Sequence, residues 1–144
     1  MVDDCDRVRA AIKAILRERA GVRTIEATTS EEAIELARRH TFDVVTSDIN
    51  RCGMDGLEFL QAFKQIHPTV PVIIASGDLD ETKTRRAKWL RAFGCLPKPF
   101  TWCKLAELVK AAIAKRRVCP TLLRSQRRGR FSPGPDILPS EREN

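Results

Sequence analysis

No stretch of this 144-residue chain approaches the ~18 uninterrupted apolar residues that a membrane span needs. No apolar segment follows a basic start, so neither a membrane protein nor a secreted one is expected. The five cysteines (Cys5, Cys52, Cys95, Cys103, Cys119) are scattered, contain no C-x-x-C, and have only His40 and His67 to support them. That poverty argues against a zinc centre and for free thiols in a reducing cytoplasm. Internal repeats are also lacking. What is present is a globular balance, 42% hydrophobic and 31% charged, in a chain long enough to bury a core without disulfides.

The net charge of +7 is unevenly placed. Residues 115–144 carry 8 Lys/Arg against 3 Asp/Glu, whereas residues 1–114 carry 18 against 16. Four of the eight prolines (Pro120, Pro133, Pro135, Pro139) fall in the same terminal stretch, and Arg124 to Arg130 is almost wholly polar. No helical or strand period survives there. The expected organisation is one domain over 1–117 and a basic, proline-containing, disordered tail over 118–144. The tail's arginines could meet nucleic-acid phosphates, but no helix-turn-helix pattern accompanies them, so a nucleic-acid partner is not expected.

Within 1–117 helix-like and strand-like segments alternate. Val8, Ala11, Ile12 and Ile15 recur at helical spacing before Gly21, a natural helix stop. Val22 to Ala27 is β-compatible. Thr29 with Glu32 predicts a capping box opening a helix that runs to His40. Phe42 to Ser47 is a short apolar run ending at Asp48. Leu57, Leu60 and Phe63 stripe a helix from Gly56 to His67, and Val70 to Ala75 has the continuous apolarity of a strand buried on both faces. Thr82 to Ala92 reads as a helix, Cys95-Leu96 as a strand end, and Thr101 as the cap of a last helix with Leu105, Leu108, Val109 and Ala112. This alternation predicts a doubly wound α/β fold around a parallel sheet. Ligands of such sheets sit at the carboxyl ends of the strands.

The polar residues at those ends are Asp3 and Asp4, Asp48, Ser76 and Lys98. Three close carboxylates repel one another unless a cation joins them, and a hard divalent ion such as Mg²⁺ suits carboxylate, carbonyl and water ligands. An aspartate beside such an ion can attack a phosphoryl group, with an ammonium and a hydroxyl to stabilise the spreading charge.

The stretches Val2-Asp3-Asp4, Phe42 to Asn50 running into Gly53-Met54-Asp55-Gly56, Pro71 to Gly77, and Leu96-Pro97-Lys98-Pro99-Phe100 together resemble the receiver domain of two-component response regulators. The likeness extends over about residues 1–115 and is nearest in kind to the stand-alone chemotaxis type. It implies a flavodoxin-like five-stranded sheet in the order 2-1-3-4-5. It also implies that Asp48 is the phosphoacceptor, that Asp3, Asp4, Asp48 and the Asn50 carbonyl hold Mg²⁺, and that Ser76, Gly77 and Lys98 bind the phosphoryl group. Lys98-Pro99 becomes a candidate cis peptide. The implied partners are a sensor histidine kinase or phosphotransfer protein as donor and a downstream protein as target, with no enzyme activity beyond the domain's own phosphorylation and dephosphorylation. A degenerate receiver that binds a partner without phosphorylation is the alternative, and a metal-dependent phosphohydrolase ranks last.

Four positions depart from the family pattern. Only Met1 and Val2 precede Asp3, where a strand of ~5–6 residues is usual, so the first strand is expected to be truncated. A start further upstream would remove this departure; otherwise the chain is a weakened relic. Arg51-Cys52 replaces the usual Met-Pro. Cys95 replaces the aromatic switch residue, and Arg91 stands where a glycine commonly ends the fourth helix. Outside these motifs, His40 and His67 read as helix-terminal residues, Trp89 and Trp102 as packing or partner-surface residues, and Asp55-Gly56 as turn chemistry.

Overall fold

The computed structural model describes residues 1–50 and 54–118. Arg51 and Cys52, and all of the expected tail except Val118, lie outside them. The elements in order are α1 (Asp6–Ala20), α2 (Ser30–Arg39), β1 (Val45–Ser47), α3 (Gly56–Ile66), β2 (Val72–Ser76), α4 (Glu81–Trp89), β3 (Gly94–Pro97) and α5 (Trp102–Val118).

Local chemistry explains most of the boundaries. Gly21 takes the left-handed conformation (φ 62°), and α1 closes with the Gly21 N–H on the Arg17 carbonyl and the Val22 N–H on the Leu16 carbonyl. The Thr29 side chain accepts the Glu32 N–H at 3.1 Å to start α2. The Glu32 carboxylate, however, reaches back to the N–H and hydroxyl of Thr28 at 2.8 and 3.0 Å, one residue before the position a capping box predicts. Asp55 caps α3 by accepting the Leu57 N–H, and Asp80 caps α4 by accepting the Lys83 N–H. Thr101 accepts the Lys104 N–H at the start of α5.

The strands are parallel in the order β1-β2-β3, with Val45 opposite Val72 and Ser76 opposite Pro97 at the two ends of the register. Beyond β1, among the described residues, the sheet continues only as single bridges, Val2 to Ser47 and Val2 to Ala27. The spatial order is therefore the expected 2-1-3-4-5, but three strands and two one-residue bridges stand where five strands were expected. Val2 N–H donates to the Thr46 carbonyl at 2.9 Å and Ala27 N–H donates to the Met1 carbonyl at 2.9 Å. Met1 N also donates to the Ile25 carbonyl at 2.8 Å and Asp3 N–H to the Ala27 carbonyl at 3.3 Å, so residues 25–27 are held against this segment.

Helices cover both faces. Ala33 and Ala37 of α2, Leu57, Phe59, Leu60 and Phe63 of α3, and Ala87 of α4 pack with Val45, Val72 and Ile74 on one side. Ile12 and Leu16 of α1 and Leu105, Ala106, Val109 and Ala112 of α5 pack with Ile73, Ala75 and Leu96 on the other. Alternate residues of β2 thus feed opposite layers, as the period-2 geometry of a strand requires. His40 and His67 occupy the ends of α2 and α3, and His67 Nε2 lies 2.6 Å from the Ala37 carbonyl oxygen.

Arg91, just after α4, has φ 65°. An L side chain in that region costs about 1–2 kcal/mol, which glycine avoids. Arg91→Gly is expected to raise the urea-unfolding free energy by about 1 kcal/mol. A variant no more stable than the parent would show that the turn is not strained.

Candidate functional site

Parallel strands end on a common rim, and here that rim gathers Asp3, Asp48 and Lys98. Asp48 follows β1, and Lys98 follows β3, fixed by its own N–H donating to the Ser76 carbonyl at 2.8 Å. Lys98 Nζ donates to Asp48 Oδ2 at 2.7 Å and reaches Asp3 Oδ2 at 3.5 Å. These carboxylates are largely buried, their side chains 11% and 7% exposed. Burial is the largest single influence on the Lys98 ammonium and disfavours its charge. The Asp48 hydrogen bond and the Asp48 and Asp3 charges together outweigh it, so the lysine pKa is raised.

The remaining carboxylate lone pairs are partly spoken for. Asp48 Oδ1 accepts the Asn50 N–H at 3.1 Å, and Asp3 Oδ1 accepts the Cys5 N–H at 2.9 Å. Asp4 differs from its neighbour: it is exposed, and no hydrogen bond or ion pair joins it to another described residue. Among the described residues, no three acidic, histidine or cysteine side chains are grouped so as to hold a metal. The donors at the rim, carboxylates and backbone carbonyls, are nevertheless the hard oxygens that fit Mg²⁺.

Ser76 ends β2 fully buried, and its Oγ accepts the Asp78 N–H at 3.4 Å. No hydrogen bond links that hydroxyl to Asp48 or Lys98. Gly77 is not sterically compelled: a Cβ there would meet only the Lys98 Cβ, at 3.9 Å. Asp78 is held below the usual carboxylate range first by a hydrogen bond from Lys83. The Lys98–Pro99 peptide is cis.

Two residues carry more of the site than the sequence suggested. Arg9 of α1 is 8% exposed and donates through Nη1 to the Asp3 backbone carbonyl at 2.8 Å, while it pairs with Asp6 and, at 3.4 Å, with Glu26. It buttresses the turn that presents Asp3 and Asp4. A single arginine three residues after Asp6 gave no sign of this. Gly56 is the other. Its N–H donates to the Ile49 carbonyl at 3.1 Å, and a Cβ built on it would lie 2.4 Å from the Asp48 carbonyl oxygen and 2.5 Å from the Ile49 Cα. The backbone that carries Asp48 rests directly on the first turn of α3, so this position admits no side chain.

The rim can be set beside proteins of known family. The model of the response regulator receiver domain matches residues 1–111. The chain belongs to this family. Among curated relatives of the receiver, the DNA-binding transcriptional regulator NtrC of Escherichia coli K12 is 37% identical over 114 residues, covering 79% of this chain and 24% of its own. The sensor kinase CckA of Brucella abortus is 33% identical over 118 residues, covering 81% of this chain and 12% of its own. The chain thus spans about a quarter or less of these relatives, neither of which is a stand-alone receiver. Among solved structures, a receiver domain protein from Clostridium thermocellum superposes with a TM-score of 0.76 at 28% identity, covering 81% of this chain and 94% of that one. A CheY-like receiver from Methanospirillum hungatei, at 23% identity and a TM-score of 0.77, shares the fold. No helix among the described residues is long and apolar enough to cross a membrane.

The geometry of this receiver generates two expectations. Gly56→Ala should lower stability by about 1–3 kcal/mol, because the clash is with backbone and cannot be relieved by a rotamer change. Unchanged denaturant midpoints would contradict the close approach. Because the Lys98 pKa is raised in the folded state, its contribution is complete below the ordinary lysine value of 10.5 and is lost as pH climbs through the higher folded value. The stability difference between the parent and Lys98→Met should therefore stay constant from about pH 7 to about pH 10 and shrink above that. A difference that does not change up to about pH 12 would remove the ion pair from the account.

Proposed function

We propose that this receiver is a phosphoacceptor switch in which Asp48 takes a phosphoryl group from a phosphohistidine of a sensor kinase or phosphotransfer protein. The observation that carries the reading is the Asp48 carboxylate held at 2.7 Å by the Lys98 ammonium on the strand-end rim. In the transfer, an Asp48 oxygen forms the new O–P bond as the N–P bond breaks, and the imidazole nitrogen leaves with the bonding electrons. Lys98 already stands at the acceptor oxygen and is placed to pair with the incoming phosphoryl oxygens. Asp4, Asp48 and the Asn50 carbonyl, with Asp3 further back, are the residues that would hold Mg²⁺, which supplies neutralisation of the phosphoryl charge when bound. The buried Ser76 hydroxyl would leave its Asp78 contact to accompany the modified Asp48.

Phosphorylation then changes the affinity of a downstream protein by favouring one conformation of the receiver over another. The domain acts once per phosphoryl group and does not turn over a phosphate ester. Incubation with acetyl phosphate or phosphoramidate and Mg²⁺ should add ~80 Da, and Asp48→Ala should abolish the gain. No added mass in a sample whose circular dichroism shows it folded would overturn the assignment.

A second reading, a degenerate receiver that docks without phosphorylation, is favoured by the separation of Asp4 from the Asp3–Lys98–Asp48 cluster. Under it, Asp48→Ala would leave partner binding intact. Loss of most of that binding on the same substitution would decide for the switch.

A further inference from the structure

Of Asp3, Asp4 and Asp48, only Asp4 has a carboxylate that pairs with no described residue. The backbone on either side of it is nevertheless pinned. The peptide group before Asp4 contains the Asp3 carbonyl, which accepts a hydrogen bond from Arg9 Nη1 at 2.8 Å. The peptide group after it contains the Cys5 N–H, which donates to Asp3 Oδ1 at 2.9 Å. A residue has two soft backbone dihedrals, and two held peptide planes leave both with little freedom. The direction of the Asp4 Cα–Cβ bond is set in this way, while its carboxylate stays available.

The two restraints differ in origin. The Cys5 contact closes within the Asp3-Asp4-Cys5 turn itself, as aspartates commonly do. The Arg9 contact comes from α1 and has been built with care. Arg9 is 8% exposed, its Nη2 pairs with Asp6, and its Nε faces Glu26 Oε2 at 3.4 Å. The other Glu26 oxygen accepts Lys13 Nζ at 2.7 Å. A guanidinium is costly to bury unless carboxylates accompany it, and its planar fork serves several acceptors at once where an ammonium cannot.

Charge and position act in opposite senses at such a residue. A cation close to a divalent-ion site weakens binding by repulsion. A group that holds a ligating residue's backbone in place strengthens binding, because less order is lost when the ion arrives. Asp6 and Glu26 neutralise Arg9 and so suppress the first effect while leaving the second. We infer that Arg9 is a positioning residue for the divalent cation: acting through the Asp3 carbonyl, it pre-organises Asp4 to bind Mg²⁺. Its loss therefore weakens Mg²⁺ binding even though a positive charge is removed. This deepens the phosphoacceptor reading and rests on it, since that reading assigns Mg²⁺ to Asp4.

The isotopically labelled full chain is titrated with MgCl₂ at neutral pH and followed by amide NMR. The shifts of the rim amides yield the Mg²⁺ Kd, and a dispersed spectrum shows that each variant is folded. Arg9→Met should raise the Kd about tenfold, and Arg9→Lys, which keeps the charge and loses the fork, about threefold. Leu16→Ala, in the buried face of α1, should lower Tm and leave the Kd at the parent value. Should Arg9→Met not fold, Arg9→Lys alone decides. A parent that binds Mg²⁺ while its folded Arg9 variants bind as well or more tightly overturns the inference alone. An equal weakening by Leu16→Ala also overturns it, by reducing Arg9 to a stabilising residue. A folded parent without saturable Mg²⁺ shifts overturns the inference and the phosphoacceptor reading together.

Discussion

Everything at the rim depends on one ammonium standing between two largely buried carboxylates. Asp3 and Asp48 come from neighbouring strand ends, and their charges would push those ends apart if nothing intervened. Lys98 intervenes because the register of β3 on β2 sets Ser76 opposite Pro97 and lets the Lys98 N–H reach the Ser76 carbonyl. A slip of one residue would send every side chain of β3 to the other face and withdraw the ammonium. The sheet register and the electrostatics of the rim are thus a single constraint.

The same economy governs the carbonyl side of Asp48. The first turn of α3 lies so close beneath it that Gly56 is the sole residue type without a collision, and Asp55 caps the helix at that spot. Arg9 performs the matching task under Asp3 from the opposite layer. The two acidic strand ends are therefore supported from opposite sides of the sheet.

Much of this was legible in the chain itself. Gly21, Thr29 and Thr101 marked helix ends because capping is local chemistry, readable from two or three neighbouring residues. The uninterrupted apolar run before Ser76 marked β2 for the same reason. Other features were hidden because they are decided between distant segments. The burial of Arg9 depends on Asp3 and Glu26, the need for glycine at 56 on the path of the Asp48 backbone, and the different settings of Asp3 and Asp4 on the Lys98 side chain. The truncation of the first strand was foreseeable at Met1-Val2. That Val22 to Ala27 forms a single bridge in place of the β-compatible segment expected there follows only once the sheet order places it beside that short segment.

The eight helical and strand elements are not held equally. Residue Ala87 alone is buried in α4, whereas α3 sinks five residues into the same layer. A helix moored by one methyl group detaches at small cost, and its amides will exchange with deuterium well before those of α3. Since α4 connects β2, which ends in Ser76, to β3, which leads into Lys98, the described helix with the fewest buried residues adjoins the rim. A perturbation at the rim thus has a lightly anchored neighbour on which to register.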